Sequence, residues 1–405
     1  MCVIKYLNLS ITTFLMSLLS FTIESESHVD VVFPLRKYGN VVSGADVTEA
    51  LKDAWNDACA SVRPSAVVIP RGIFKVREGE FKGPCKSPIE IRVRGTLQAP
   101  KHPYGDSWIT FAYVDRMKLS GGGVFDGQGK AGWEKNDCHK HKNCANLPIS
   151  LRFNFVTNSI VRRITSLDSK NFHVNILGCN NLTFQGVNII APGDSPNTDG
   201  IHIGRSIGIS ILKSRIATGD DCISLGDGSK RIKVNNVTCG PGHGISIGSL
   251  GKYTNEEPVE DVIVKNCTII NTTNGVRIKT WPTSPVAGIA TNMHFSDITM
   301  VNVSNPIVID QEYCPWNQCN RKIPSNIKIN KVSFKNIRGS SATPVAVKLI
   351  CSSNLPCEEV KLSNIDLIYN GIKGSITSQC MNVKPIIYGI QNPPICSSSY
   401  TTASK

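Results

Sequence analysis

Four short polar clusters interrupt the middle of the chain: Asn197-Thr198-Asp199-Gly200, Gly219-Asp220-Asp221-Cys222, Gly242-His243-Gly244 and Arg277-Ile278-Lys279. Asp199, Asp221 and His243 follow one another at intervals of 22 residues. General acid–base catalysis needs one group that keeps its proton and one that has lost it, and crowded carboxyls separate in that way. Three carboxyls in one place require a compensating proton, metal or cation. Arg277 and Lys279, two apart on a strand, face the same way. They read either as charge balance or as a clamp for the carboxylate of an acidic sugar, Arg supplying a planar fork and Lys a point charge. Taken singly, Gly-Asp-Asp is a common turn and a lone histidine is usually structural. The shared spacing is what points to a site.

For that spacing to gather side chains, the chain must wind with a regular period. An apolar-x-apolar-x-x-apolar-x-apolar pattern begins at Leu182, Ile232, Val262, Met293, Ile327 and Val360, with a looser copy at Ile209. Each unit reads as two short strands broken by a polar pair at a corner. One unit cannot bury its inward face alone, so units must stack. A propeller would need longer blades and hairpin turns, and a leucine-rich repeat its own signature. The pattern therefore predicts an all-β fold, a single-stranded parallel β-helix. Coils about 4.8 Å apart would place Asp199, Asp221 and His243 side by side. Gly219 would permit the backbone bend that brings both Asp220 and Asp221 to one cleft. Residues 46–60 form the one clear amphipathic helix, with Val47, Leu51, Ala54, Trp55 and Ala58 on one face, and would cap the open end of the stack.

Composition narrows the partner. With 40% hydrophobic and 19% charged residues, the 405-residue chain is neither disordered nor fibrous. A net charge of +13 favours an anionic partner: nucleic acid, a membrane surface or an acidic polysaccharide. Lys5 followed by an apolar run from Ile11 to Ile23 reads as a signal peptide, residues 1–25, ahead of a single catalytic domain, 26–405. Its removal would take Cys2 and leave an even 14 of the 15 cysteines, suited to an oxidising compartment. Sequons at Asn181, Asn236, Asn266, Asn271 and Asn302 suit a secreted, extracellular glycoprotein. Dispersed basic residues and the absence of a recognised motif set nucleic acid aside. No later segment suits a membrane span, and a monomer is expected.

In this order and at these distances, the four clusters resemble the signatures of the polygalacturonases, glycoside hydrolase family 28. FKGPCKSPIE, LPISLRFNFVTNSIV and VKPIIYGIQNPPIC are similar to pollen-type exopolygalacturonases of plants, which implies a cell-wall role in pollen development or tube growth. The resemblance implies a right-handed parallel β-helix and hydrolysis, with inversion, of α-1,4 bonds between galacturonic acid units of pectin. It implies no metal and no cofactor. By motif, Asp220 would be the general acid, and Asp199 and Asp221 the carboxylates that activate water. His243 would tune the acid's protonation, while Arg277, Lys279 and Tyr313 would bind substrate. Exo rather than endo cutting rests on the resemblance alone.

The resemblance also supports disulfides Cys222–Cys239, Cys351–Cys357 and Cys380–Cys396. Proximity in sequence suggests Cys59–Cys85, Cys138–Cys144 and Cys314–Cys319. Cys179 and Cys267 remain, expected as buried free thiols. Two other functions compete: a calcium-dependent pectate lyase on a similar fold, and a non-catalytic pectin-binding cell-wall protein.

Overall fold

Rows of similar apolar side chains, one per coil, organise the molecule. Ile201, Ile223, Ile245, Val276, Ile307 and Val347 stand opposite one another in successive strands, and each is fully buried. Every such burial contributes about 1.5–3 kcal/mol, and β-branched side chains fit the pleat. Phenylalanines form a second row, with the rings of Phe81, Phe111 and Phe153 stacked at 5.3 Å. The computed structural model describes residues 29–102, 105–134, 147–317 and 319–396. The expected signal peptide and the Cys138–Cys144 pair lie outside these residues.

Among the described residues the strands make one 20-stranded and one 11-stranded sheet, all of whose ladders are parallel. One coil shows the plan. Val174–Leu177 belongs to the smaller sheet, Asn180–Gln185 and Asn188–Ile190 to the larger, and Ile201–Gly204 returns to the smaller one directly beside Val174–Leu177. This is a parallel β-helix. The apolar repeat covers only the two larger-sheet segments of each coil. The third, short strand was not part of it, and that strand borders the polar clusters. Coils also begin well before Leu182, from Val31 onward. In later coils the corner does not break the strand: Val259–Ile270, Gly288–Val303 and Ile327–Ser341 run through it, with Asn266, Asp297 and Asn336 at positive φ.

The helix spans Thr48–Ala60, two residues shorter at its start than the periodicity suggests. Asp46 lies outside it and accepts hydrogen bonds from the backbone N–H and hydroxyl of Thr48. Its apolar face covers the first coils, where Trp55 lies edge-on to Phe81 at 5.3 Å and donates its indole N–H to the Lys82 carbonyl. Among the described residues, disulfides join Cys59–Cys85, Cys222–Cys239, Cys314–Cys319, Cys351–Cys357 and Cys380–Cys396. Cys179 and Cys267 are buried free thiols. No helix of the described residues is long and apolar enough to cross a membrane.

Candidate active site

Three of the polar clusters occupy the short connections that lead into strands Ile201–Gly204, Ile223–Leu225 and Ile245–Leu250 of the smaller sheet, and Arg277-Ile278-Lys279 lies within the next strand of that sheet, Asn274–Thr280. Backbone bonds hold these connections in register across coils: His173 N–H to Asp199 O, Gly200 N–H to Asp221 O, and His243 N–H to Asp220 O. Asp220 and Asp221 lie outside any regular strand, so the alternation of a strand does not apply to them. Gly219 serves this bend differently from the expectation. Its φ is not in the left-handed region; instead a Cβ there would sit 1.9 Å from the Ser195 carbonyl oxygen. Gly244, at φ +85, is where a turn does require glycine.

The three carboxyls have different surroundings. Asp221 is buried, and both of its oxygens are engaged: Oδ1 by Ser246 Oγ at 2.8 Å and Arg277 Nη2 at 3.0 Å, Oδ2 by Lys279 Nζ at 3.0 Å. Burial pushes its pKa up, but Lys279 and Arg277 outweigh that and hold it below the ordinary carboxylate value. Asp199 is also buried and has Ser224 Oγ at 2.8 Å. Burial, and then the charges of Asp220 and Asp221, hold its pKa well above the ordinary value. Asp220 is the accessible one, its side chain 27% exposed. Its Oδ1 accepts from the Asp221 backbone N–H at 2.7 Å and meets His243 Nδ1 at 2.8 Å. That hydrogen bond raises the His243 pKa against the opposing effect of burial. The histidine side chain is 42% exposed between its two glycines.

Arg277 and Lys279 do face the same way, and the charge balance weighed for them is present, centred on Asp221. Tyr313 joins them: its ring centre lies 5.1 Å from Lys279 Nζ and 5.9 Å from the Arg277 guanidinium.

Three side chains of this site were missed in the sequence. His202, Ser224 and Ser246 occupy successive rungs of one outward row. Each stands three residues after Asp199, Asp221 or His243, so the same 22-residue interval carries them. The serines buttress the carboxylates of the coil before. His202 Nδ1 lies 2.8 Å from Ser224 Oγ, and burial lowers its pKa to about 4, so the ring is neutral at pH 7. With Ser224 donating to Asp199, His202 Nδ1–H is the donor to the serine.

Asp220, Asp221 and His243 bring one ligand atom each within 4.8 Å of one another, a spacing that a cation could use. However, Arg277 and Lys279 already neutralise Asp221, and a hard cation such as calcium would need several more oxygens than this cluster offers.

Known proteins resemble this chain over most of its length. The family described as Glycosyl hydrolases family 28 matches residues 59–396. An exopolygalacturonase of Oenothera organensis is 56% identical over 363 residues, covering 89% of this chain and all of the relative. A polygalacturonase of Gossypium barbadense is 51% identical over 396 residues, 97% of each chain. Among solved structures, endo-xylogalacturonan hydrolase from Aspergillus tubingensis superposes with a TM-score of 0.75 at 22% identity, over 88% of this chain and 100% of that one, a likeness of fold.

Proposed function

Because this chain belongs to glycosyl hydrolase family 28, we propose that it is a polygalacturonase that cleaves α-1,4 bonds of pectin with inversion, taking galacturonic acid from chain ends. The observation that carries this reading is the contrast between two adjacent carboxyls. Asp221 is buried and ion-paired, whereas Asp220 is accessible and hydrogen-bonded to an imidazole.

In this mechanism Asp220 and His243 share a proton across their 2.8 Å contact, and Asp220 delivers it to the leaving glycosidic oxygen. Asp199, once ionised, takes the proton of the attacking water. Inverting glycosidases separate acid and base by roughly 6.5–9.5 Å to admit that water. Asp221 has an oxygen within 4.8 Å of one on Asp220, which favours Asp199 as the base and leaves Asp221 to orient the water and anchor the cations. Arg277, Lys279 and Tyr313 then receive the carboxylate and ring of a galacturonate unit.

The name of the Oenothera organensis relative supports the exo reading. Five disulfides support secretion, with residues 1–25 removed as a leader from a single catalytic domain that works as a monomer. The sequons at the five exposed asparagines would carry glycans, and the proposed role in pollen wall remodelling rests on the resemblance of the three sequence stretches to pollen-type exopolygalacturonases. A time course on polygalacturonate tests the activity. Monomer alone supports the proposal, and mixed oligomers mean endo cutting. An unsaturated product that chelator abolishes means a calcium lyase, and binding without new reducing ends means no catalysis.

A further inference from the structure

The cations of the site do not end at Lys279. The loop after strand Ile245–Leu250 carries Lys252 and Tyr253, both exposed. Lys252 Nζ lies 5.2 Å from the Trp281 ring centre and 5.3 Å from that of Tyr253. Trp281 meets Tyr313 edge-on at 5.6 Å, and Tyr313 in turn underlies Lys279 and Arg277. An unbroken series of contacts thus leads from the Asp221 ion pair, through two aromatic rings, to another ammonium group.

The backbone builds this row as it builds the site. Trp281 N–H bonds to Leu250 O, and Tyr313 N–H bonds to Thr280 O, so Lys252, Trp281 and Tyr313 follow the ends of three successive strands of the smaller sheet. The Lys252 loop is held in shape. Glu256 accepts the backbone N–H groups of Gly251, Lys252 and Tyr253, and Arg205 donates to the Asn255 carbonyl at 3.0 Å. The Glu256 carboxylate is thereby committed to the backbone. Among the described residues, no carboxylate lies within ion-pair distance of Lys252. An ammonium over aromatic faces, held by an ordered loop and lacking an anion, is suited to an anionic ligand that also presents an apolar sugar face.

Resting on the reading of the site as a galacturonan hydrolase, we propose that Lys252 is a specificity-determining residue. It binds the carboxylate of a second uronate unit, on the side of Tyr313 remote from Asp221, while Trp281 and Tyr253 support its sugar ring. Enzyme kinetics on galacturonate oligomers of increasing length test this. Lys252→Ala raises KM about tenfold on oligomers long enough to reach the loop, with kcat held. The penalty grows from dimer to tetramer, shrinks in high salt, and is largely relieved in Lys252→Arg, with the melting temperature unchanged in both variants. A KM that is unaltered at every length, or a uniform loss of kcat, overturns the role of Lys252 while leaving the hydrolase intact. A wild-type protein that hydrolyses no galacturonan overturns both.

Discussion

Asp220 Oδ1 and His243 Nδ1 lie 2.8 Å apart, and the hydrogen bond between them is the first cause of the histidine's raised pKa. The imidazole therefore keeps its proton to a higher pH than a free histidine side chain does. On the acid side, Asp199 must ionise before it can act as a base, and its pKa lies well above 3.8. Activity should rise through the elevated Asp199 pKa and fall through the elevated His243 pKa. In His243→Ala the alkaline limb should move and kcat should drop. A pH–rate profile that is unchanged by this substitution contradicts the shared proton.

Asp220→Asn keeps shape and the contact with His243 but has no acidic proton to give. Turnover of polygalacturonate should fall by about 10²–10⁴, with the melting temperature within a degree or two of wild type because the side chain is accessible. Steady-state kinetics with thermal melts read both. Retention of most of the turnover would remove Asp220 from the mechanism.

Asp199 links function to stability in the opposite direction. A carboxyl whose folded pKa is raised contributes stability that is complete below its unfolded value and lost as pH rises through the folded value. Above that unfolded value the native protein must either keep a proton that the unfolded chain has released or bury a charge, and both are unfavourable. Asp199→Asn should abolish activity yet raise the melting temperature at pH 7 by about 1–3 °C, a gain that vanishes below pH 3.8. Melting curves at the two pH values decide it.

Beyond the substrate contact proposed for it, Lys279 neutralises the buried Asp221 carboxylate. Lys279→Ala should cost about 1–3 kcal/mol of stability together with activity, since Asp221 Oδ2 loses its buried cationic partner while Arg277 still holds Oδ1. Adding Asp221→Asn should recover most of the stability and none of the turnover. Denaturant unfolding of the single and double variants measures the coupling.

The legibility of this chain follows from its period. Residues that repeat once per coil announced themselves: Leu182, Val262 and Met293 mark inward rows, and the 22-residue intervals from Asp199 to His243 reflect the two shortest coils. The smaller-sheet strands were invisible to the same pattern because segments such as Ile223–Leu225 are too short to show alternation, and variable loops precede them. His202, Ser224 and Ser246 were lost with them. The role of Gly219 could not be read, since only the folded chain brings the Ser195 carbonyl against it.

The sequons have a structural source that the sequence alone conceals. Asn181, Asn236, Asn266, Asn271 and Asn302 all sit at exposed corners with positive φ, a conformation that asparagine tolerates. The next residue in each case, Leu182, Val237, Cys267, Thr272 or Val303, turns inward and is buried. The following Thr or Ser returns outward, so corner geometry writes Asn-x-Thr/Ser by itself.

Direct attack of water at the sugar carbon, opposite an acid at Asp220, would exchange the α configuration for β in the released sugar. Proton NMR during the first minutes of polygalacturonate digestion, before the anomers equilibrate, reads this directly. The first signal to grow should be the β anomer of monomeric galacturonic acid. Initial release of the α anomer, or of an unsaturated sugar, would contradict it.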